Sequence, residues 1–107
     1  MIKVTYYRRR YLKVTIEGHA MSSEPGQDLV CASASILAYT LAANVTNMKA
    51  VGHLKNATVR LEPGDAEIRC TPKRRICAAT TMIFDTICAG FELLSKQYPQ
   101  FITYEIK

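Results

Sequence analysis

The sequence predicts an α+β fold of two layers, in which two long helices cover one face of a largely antiparallel sheet. Several short segments alternate apolar and polar residues, as strands do. Two longer segments have the spacing of amphipathic helices, and turn-forming or basic residues separate the segments. The predicted element order is β-β-α-β-β-α-β.

Alternation defines two N-terminal strands, with Ile2, Val4 and Tyr6 in the first and Leu12, Val14 and Ile16 in the second. A loop then leads to a helix predicted from about Asp28 to about Thr46. Asp28 is the expected N-cap, which would make Cys31 the third helical residue. The expected inner face of this helix comprises Leu29, Val30, Ser33, Leu37, Leu41 and Val45.

The second half repeats the pattern loosely. Two strands are predicted on either side of Pro63-Gly64-Asp65, with Val59 and Leu61 facing Ile68 and Cys70. A second helix is predicted from about Lys73 to about Gln97, and Pro99 ends it. Its expected apolar side comprises Ile76, Ile83, Phe84, Ile87, Phe91 and Leu94. The final segment, FITYEIK, is a predicted strand.

Length and composition indicate one ordinary globular domain over residues 1–107, of 49% hydrophobic and 21% charged residues. A core of this size is small, so a homodimer is a natural way to bury more surface. We expect no signal peptide and no segment that approaches a membrane span, hence a cytoplasmic protein without membrane contact. Its 4 cysteines are expected to be free thiols, with Cys88 packed in the core. The spacing of Cys70 and Cys77 does not favour zinc, and no metal or cofactor is predicted.

The chain carries a net charge of +5, with basic clusters at residues 8–10 (RRR) and 73–75 (KRR). Such clusters can bind phosphate groups, or they can decorate a hairpin turn and a helix start that face water. We favour water-facing clusters, because the sequence shows no aromatic interleaving of the kind that stacks bases.

Cys31 has the most unusual surroundings of the cysteines. A helix N-terminus and a nearby imidazolium both stabilise a thiolate, which is the nucleophilic form of cysteine. Free N–H groups of a first helical turn can also hold an oxyanion. His19 supplies the imidazole if the intervening loop, Ala20–Gln27, folds back.

Structural explanations compete with this chemistry, and spacing alone favours them. Cysteines in helices of small residues usually pack, and histidines at strand ends are usually solvated. His53 is a rival partner for Cys31, although its segment resembles a connecting turn. Asp28 can orient His19, but the N-cap role is the preferred interpretation.

The motif that decides between these interpretations is GHA followed by GQDLVCASAS. It resembles the bacterial ribosomal-processing cysteine protease family, Prp, whose members carry Gly-His-Ala, a loop, and Gly-x-Asp-[Ile/Leu]-Val-Cys-Ala-x-x-Ser. The resemblance extends over essentially the whole chain, including the closing helix and strand. The residues that match the motif are Gly18, His19, Ala20, Gly26, Asp28, Leu29, Val30, Cys31, Ala32 and Ser35.

The resemblance implies a cytoplasmic homodimeric cysteine endopeptidase that removes an N-terminal extension from large-subunit ribosomal protein twenty-seven. Cys31 would be the nucleophile and His19 the general base and acid, with Asp28 and Ser35 in supporting positions. The implied substrate loop comprises Ala20, Met21, Ser22, Ser23, Glu24, Pro25, Gly26 and Gln27. Family members often continue after Gly-His-Ala with glycine and an aromatic residue, whereas this chain has Met21-Ser22-Ser23, which leaves the substrate contacts of the loop open.

Two alternatives come from other functional classes. One is a non-catalytic basic RNA-binding or ribosome-associated module, supported by net charge but by no RNA-recognition motif. The other is a structural dimer in which Cys31 only packs. In the protease, the basic clusters are also candidates for contact with ribosomal RNA.

Overall fold

The computed structural model describes residues 1–19 and 25–107 of the chain. Within these residues it contains five strands and two α-helices in the predicted order. Their bounds are β1 Ile2–Arg8, β2 Leu12–Glu17, α1 Gln27–Ala50, β3 Leu54–Glu62, β4 Asp65–Pro72, α2 Cys77–Gln97 and β5 Ile102–Ile106. One turn of 3-10 helix, Arg74–Ile76, leads into α2.

The strands form one sheet in the order β3-β4-β2-β1-β5. Neighbouring strands are antiparallel, except that β1 and β5 run parallel. Each helix carries the chain back along the sheet between two strands that point the same way, β2 and β3 for α1, and β4 and β5 for α2. The predicted α+β fold with two helices over a largely antiparallel sheet is confirmed.

The core lies between the sheet and the two helices. Alternation along the strands buries Ile2, Val4, Tyr6, Leu12, Val14, Ile68, Cys70 and Ile102. The helices bury Val30, Ala34, Ala38, Leu41, Ala42, Val45 and Met48 from α1, and Thr80, Phe84, Cys88 and Phe91 from α2. Cys88 is 1% exposed, so the prediction that it packs as a small apolar residue is confirmed.

The inner face of α1 differs from the predicted one. Leu29 is 56% exposed and Leu37 is only half-buried, whereas three alanines at positions 34, 38 and 42 are buried. Small side chains on that face let the helix approach the sheet closely, and Leu29 and Leu37 then lie beside the contact instead of within it. Val30, Leu41 and Val45 are fully buried as predicted, so hydrophobicity located the centre of the buried face but missed its alanines.

The β3–β4 pairing also corrects one detail. Val59 lies opposite Ile68 as predicted, but Leu61 lies opposite Ala66, and Ala57 lies opposite Cys70. Val59 and Leu61 remain 38% and 40% exposed because β3 is an edge strand. An edge strand has a neighbour on one side only, so its side chains are less completely covered.

Both helices are long and apolar enough to cross a membrane by length and composition, with mean hydropathies of 1.6 and 1.4 in their most apolar windows. The expectation that no segment approaches a membrane span is therefore wrong by that criterion. Each helix nevertheless buries one face against the sheet, as core helices of soluble proteins also do. The composition reflects alanine-rich helices with apolar residues on both the inner and outer faces.

Candidate active site

The end of β2 positions His19. Gly18 follows the strand with a φ of 90°, a left-handed conformation that glycine adopts without strain. Its N–H donates to the Gly64 carbonyl at 2.9 Å. The N-terminal ammonium group of Met1 donates to the His19 carbonyl. These bonds tie the backbone on both sides of His19 to the sheet, so the histidine leaves β2 in a defined direction.

The imidazole of His19 lies directly against the turn between β3 and β4. Gly64 in that turn has a φ of 73°. A methyl group at Gly64 would fall inside the His19 ring, 2.6 Å from Cε1 and 2.9 Å from Cδ2. Only glycine at position 64 therefore leaves room for the ring, and the imidazole packs directly on the backbone of this turn.

The start of α1 differs from the prediction. The helix begins at Gln27 after Gly26, which has a φ of 96°, and no side chain caps it. Asp28 is thus the second helical residue and not the N-cap, while Cys31 is the fifth residue and not the third. Gly26 fits the cap position because its left-handed backbone is accessible to glycine, and Tyr98 packs 3.6 Å from where its Cβ would be.

This shift changes which backbone groups are available near the thiol. The N–H of Val30 already donates to the Gly26 carbonyl at 3.0 Å. The N–H groups of the first turn that have no partner within the helix therefore belong to residues 27–29, which precede Cys31 by two to four residues. The positive end of the helix still faces this region, but the cysteine lies two residues, about half a turn, deeper than the sequence suggested.

His19 and Cys31 line the same groove, which has a volume of about 340 Å³. Ser35, one turn after Cys31, lines it as well. The groove runs between the outer end of α1 and the end of the sheet where β2 stops and β3 turns into β4. Both side chains face this groove because β2 ends and α1 begins at the same end of the sheet.

The sequence did not identify two further parts of the groove. Tyr39 continues the row that Cys31 and Ser35 begin, at intervals of four residues along α1. That spacing is readable from the sequence once Cys31 is singled out. The opposite wall is the β3–β4 turn, from Leu61 to Ala66, and no local signal links this turn to His19.

The rim of the groove is acidic. Glu62 and Asp65 line it, and Glu17 ends the strand beside it. Asp65 pairs with Arg60, and the hydrogen bond from this guanidinium to Asp65 raises the pKa of Arg60. Since both partners are well exposed, the pair orders the turn more than it stabilises the fold.

The remaining predicted residues are placed as follows. Ala20–Glu24 of the predicted substrate loop lie outside the described residues, Pro25 and Gly26 form a turn, and Gln27 belongs to α1. Asp28 is exposed and does not belong to the described lining of the groove. His53, the rival histidine, follows α1 at the opposite end of the sheet, where its N–H donates to Met48.

The other thiols have different environments. Burial raises the pKa of Cys70 to about 11 and that of Cys88 to about 12, so both stay protonated at neutral pH. Cys77 is exposed at the first position of α2. All four cysteines are free, and residues 1–19 and 25–107 contain no group of three side chains suited to holding a metal ion.

Comparison with known proteins agrees with this geometry. The family model of cysteine protease Prp matches residues 1–103. No curated protein sequence matches the chain significantly.

Solved structures with the same fold cover nearly all of the chain. SMU.848 from Streptococcus mutans is 26% identical over 99% of this chain and 93% of its own, with a TM-score of 0.70. The ribosomal processing protease Prp from S. aureus, solved with a covalently linked product peptide, is 21% identical with full coverage of both chains and a TM-score of 0.74. The same protease with a substrate peptide gives 18% identity and a TM-score of 0.72. The match over residues 1–103 shows that the chain is a cysteine protease of the Prp family.

Proposed function

We propose that this protease removes the N-terminal extension of large-subunit ribosomal protein twenty-seven during ribosome assembly, with Cys31 as nucleophile and His19 as general base and acid. The observation that carries the proposal is the single groove lined by both side chains. The S. aureus relative is described as a ribosomal processing protease and holds a covalently linked product peptide, which supports covalent chemistry on a ribosomal substrate.

The chemistry follows from the two side chains. His19 accepts the proton of the Cys31 thiol, and the sulfur attacks the carbonyl carbon of the scissile peptide bond. The tetrahedral oxyanion forms near the helix N-terminus, where the N–H groups of residues 27–29 lack helical partners. His19 then donates its proton to the leaving amine, and the thioester remains on Cys31. Water, deprotonated by His19, hydrolyses the thioester and releases the thiol.

The groove also has features that suit its substrate. It is open along its length and bounded by apolar residues of β1, β2 and α1, so an extended peptide can lie in it. The carboxylate of Glu62 on the rim attracts a positively charged chain, whereas Asp65 is already paired with Arg60. Ribosomal proteins carry many basic residues because they contact RNA phosphates, so a basic segment beside the cut fits this rim.

Cleavage of the extended ribosomal protein by purified enzyme tests the proposal. Wild type should make one N-terminal cut, identified by mass spectrometry, and both Cys31→Ala and His19→Ala should lose it. Matched controls are Cys77→Ala, which removes the other accessible thiol, and His53→Ala, which removes the other histidine; both should cleave normally. A cut that survives Cys31→Ala would assign the nucleophile elsewhere, and no cut by wild type would exclude this substrate.

We further propose that the enzyme acts in the cytoplasm as a homodimer joined through the outer faces of its helices. Ile36 of α1 and Met82 and Leu93 of α2 are 61%, 68% and 58% exposed. A groove of about 440 Å³ with a mainly apolar lining runs between the helices at Asn44, Met82 and Ile87. A second copy would cover these side chains with its own, which removes apolar surface from water.

Sedimentation analysis tests the dimer. Wild type should sediment as two copies, and Met82→Lys should shift it towards the monomer because a charge would be buried at the contact. Thr81→Lys is the matched control, since it adds the same charge one position away on α2. A wild type that is monomeric at high concentration would contradict the proposal.

A further inference from the structure

The two basic clusters of the sequence converge at one end of the molecule. Leu12 of β2 lies opposite Cys70 of β4, so the β1–β2 hairpin at residues 8–11 and the segment after β4, residues 73–75, leave the sheet side by side. Lys73 is fixed there by its N–H, which donates to the His53 carbonyl at 3.0 Å. More than sixty residues separate the clusters in sequence, and only strand pairing brings them together.

This basic end collects most of the positive charge of the chain. It comprises Arg8, Arg9, Arg10, Lys13, Lys49, Lys55, Arg69, Lys73, Arg74, Arg75 and Lys107. Carboxylates partly offset it: Asp85 is paired with Arg8, Glu105 is paired with Lys107, and Glu67 lies two residues from Arg69 on the same face of β4. The acidic rim of the groove lies at the opposite ends of these strands, where Asp65 is opposite Glu17, four residues from Arg69 and Lys13. That spacing is about 13 Å, slightly more than the screening length at physiological salt.

Aromatic rings accompany the charges on the sheet face that the helices leave open. Tyr7, Lys13 and Arg69 lie directly opposite one another on β1, β2 and β4. The Lys13 ammonium is 4.3 Å from the centre of the Tyr7 ring, and the Arg69 guanidinium is 4.0 Å from that of Tyr11. The expectation that basic residues are not interleaved with aromatic ones is therefore wrong, because cross-strand pairing supplies the interleaving.

This combination has the chemistry of a nucleic-acid platform. Bases stack on tyrosine rings and on guanidinium planes, while neighbouring lysines and arginines contact phosphates. The rings lie on a flat strand face that neither helix covers, and the arginines at 9, 10, 74 and 75 are exposed beside it. An acidic peptide would use the charges but not the rings. An anionic membrane would use the charges together with Val51 and Ile106, the exposed aliphatic side chains at this end, so vesicles are a necessary comparison ligand.

We propose that the basic end of the sheet, centred on Tyr7, Tyr11, Lys13 and Arg69, binds single-stranded RNA. We name RNA rather than DNA because the proposed substrate is a ribosomal protein, so that choice rests on the proposed function. The stacking and phosphate contacts themselves do not distinguish RNA from DNA. Since the groove lies at the other end, the enzyme can hold RNA of an assembling particle and keep its groove free for the peptide. Binding there would raise the local concentration of the ribosomal substrate.

Fluorescence anisotropy with a labelled single-stranded RNA of about 16 nucleotides tests the proposal. The affinity of wild type should fall steeply between about 50 and 200 mM salt. Arg9→Gln/Arg10→Gln should weaken binding about tenfold or more and make the logarithmic salt slope shallower by about 1.4. The matched control is Lys3→Gln/Lys96→Gln, which removes equal charge elsewhere and should change affinity less than about twofold.

Stacking is tested separately with Tyr7→Leu/Tyr11→Leu, which keeps the charge and should weaken binding about tenfold. Double-stranded RNA and vesicles of phosphatidylglycerol serve as comparison ligands, and each should bind more weakly than the single-stranded RNA. Single-stranded DNA offers the same stacking and phosphate contacts and should bind no more tightly. The proposal would be overturned if Arg9→Gln/Arg10→Gln and Lys3→Gln/Lys96→Gln lost equal RNA affinity. Wild-type affinity in Tyr7→Leu/Tyr11→Leu, or tighter binding of any comparison ligand, would also overturn it.

The RNA surface and the proposed protease substrate can fail separately. Cleavage of a free extended peptide does not involve the basic end, so Arg9→Gln/Arg10→Gln should cleave that peptide at the wild-type rate. RNA binding without cleavage would therefore contradict only the substrate, and cleavage without RNA binding would contradict only the RNA surface.

Discussion

At the scale of single residues, the four cysteines differ in burial and in neighbouring groups, and these differences single out one candidate nucleophile. Cys70 and Cys88 are buried, Cys77 is exposed at the start of α2, and Cys31 is partly accessible in a groove with His19. Burial raises the pKa of these two thiols, to about 11 for Cys70 and about 12 for Cys88, and so disfavours their thiolate forms further. Accessibility alone does not separate Cys31 from Cys77, so the neighbouring imidazole is what distinguishes the proposed nucleophile.

Alkylation tests this distinction. In Cys77→Ser, iodoacetamide at neutral pH should add one group, located on Cys31 by peptide mass spectrometry, because the thiolate is the reactive form. His19→Ala in the same background should slow that addition, because it removes the base that accepts the thiol proton. An adduct on Cys70 or Cys88 at a comparable rate would contradict the structural assignment, and an unchanged rate in the double variant would separate His19 from Cys31.

At the scale of elements, the β3–β4 turn is as important to the candidate site as the motif that contains His19 and Cys31. β4 pairs with β2, which places Gly64 under the residue that follows β2. The carbonyl of Gly64 also accepts the N–H of Gly18, so the turn fixes both the backbone before His19 and the space for its ring. Local sequence identified the turn but not this contact.

We expect Gly64→Ala to lower cleavage about 100-fold by displacing the imidazole, since small misplacements of a catalytic group are costly. Gly52→Ala is the matched control. Gly52 also has a positive φ, 81°, but its Cβ would meet only the end of the Lys73 side chain at 3.9 Å. Both variants should lose about 1–2 kcal/mol of stability from the left-handed backbone, measured by urea unfolding. Equal activity losses in the two would show that strain, and not His19, is responsible.

At the scale of the whole molecule, the buried acids predict how stability depends on pH. Burial raises the pKa of Tyr6, Cys70, Cys88 and Tyr104 above their ordinary values of 10.0 for tyrosine and 9.0 for cysteine. The folded state therefore keeps protons that the unfolded chain releases. The resulting stabilisation is complete below about pH 9 and is lost as the pH rises towards the folded-state values.

Urea unfolding at a series of alkaline pH values measures this effect. The free energy of unfolding should fall from about pH 9 upwards, by up to about 1.4 kcal/mol per pH unit for each group that only the unfolded chain has ionised. Cys88→Ala should make the decline shallower. A free energy of unfolding that stays constant to about pH 11 would contradict the burial of these groups.

The sequence by itself determined the class of fold, the order of elements and the pair of residues to examine. Alternation and helical spacing are local patterns, so Ile2–Tyr6, Leu12–Ile16 and the two long helices were predictable within a few residues. The motif GHA…GQDLVCASAS identified His19 and Cys31. The helix start was misjudged, because Asp28 and Gly26 both suit a cap and backbone conformation decided between them.

Only the tertiary structure decided what faces those two residues and what lies at the far end. Three features depend on the pairing of β2 with β4: the contact of Gly64 with His19, the acidic rim, and the approach of residues 8–11 to residues 73–75. That pairing joins strands about fifty residues apart, so no local pattern records it. The physical reason is that register is set by burial of one sheet face against the helices, which is a property of the whole chain.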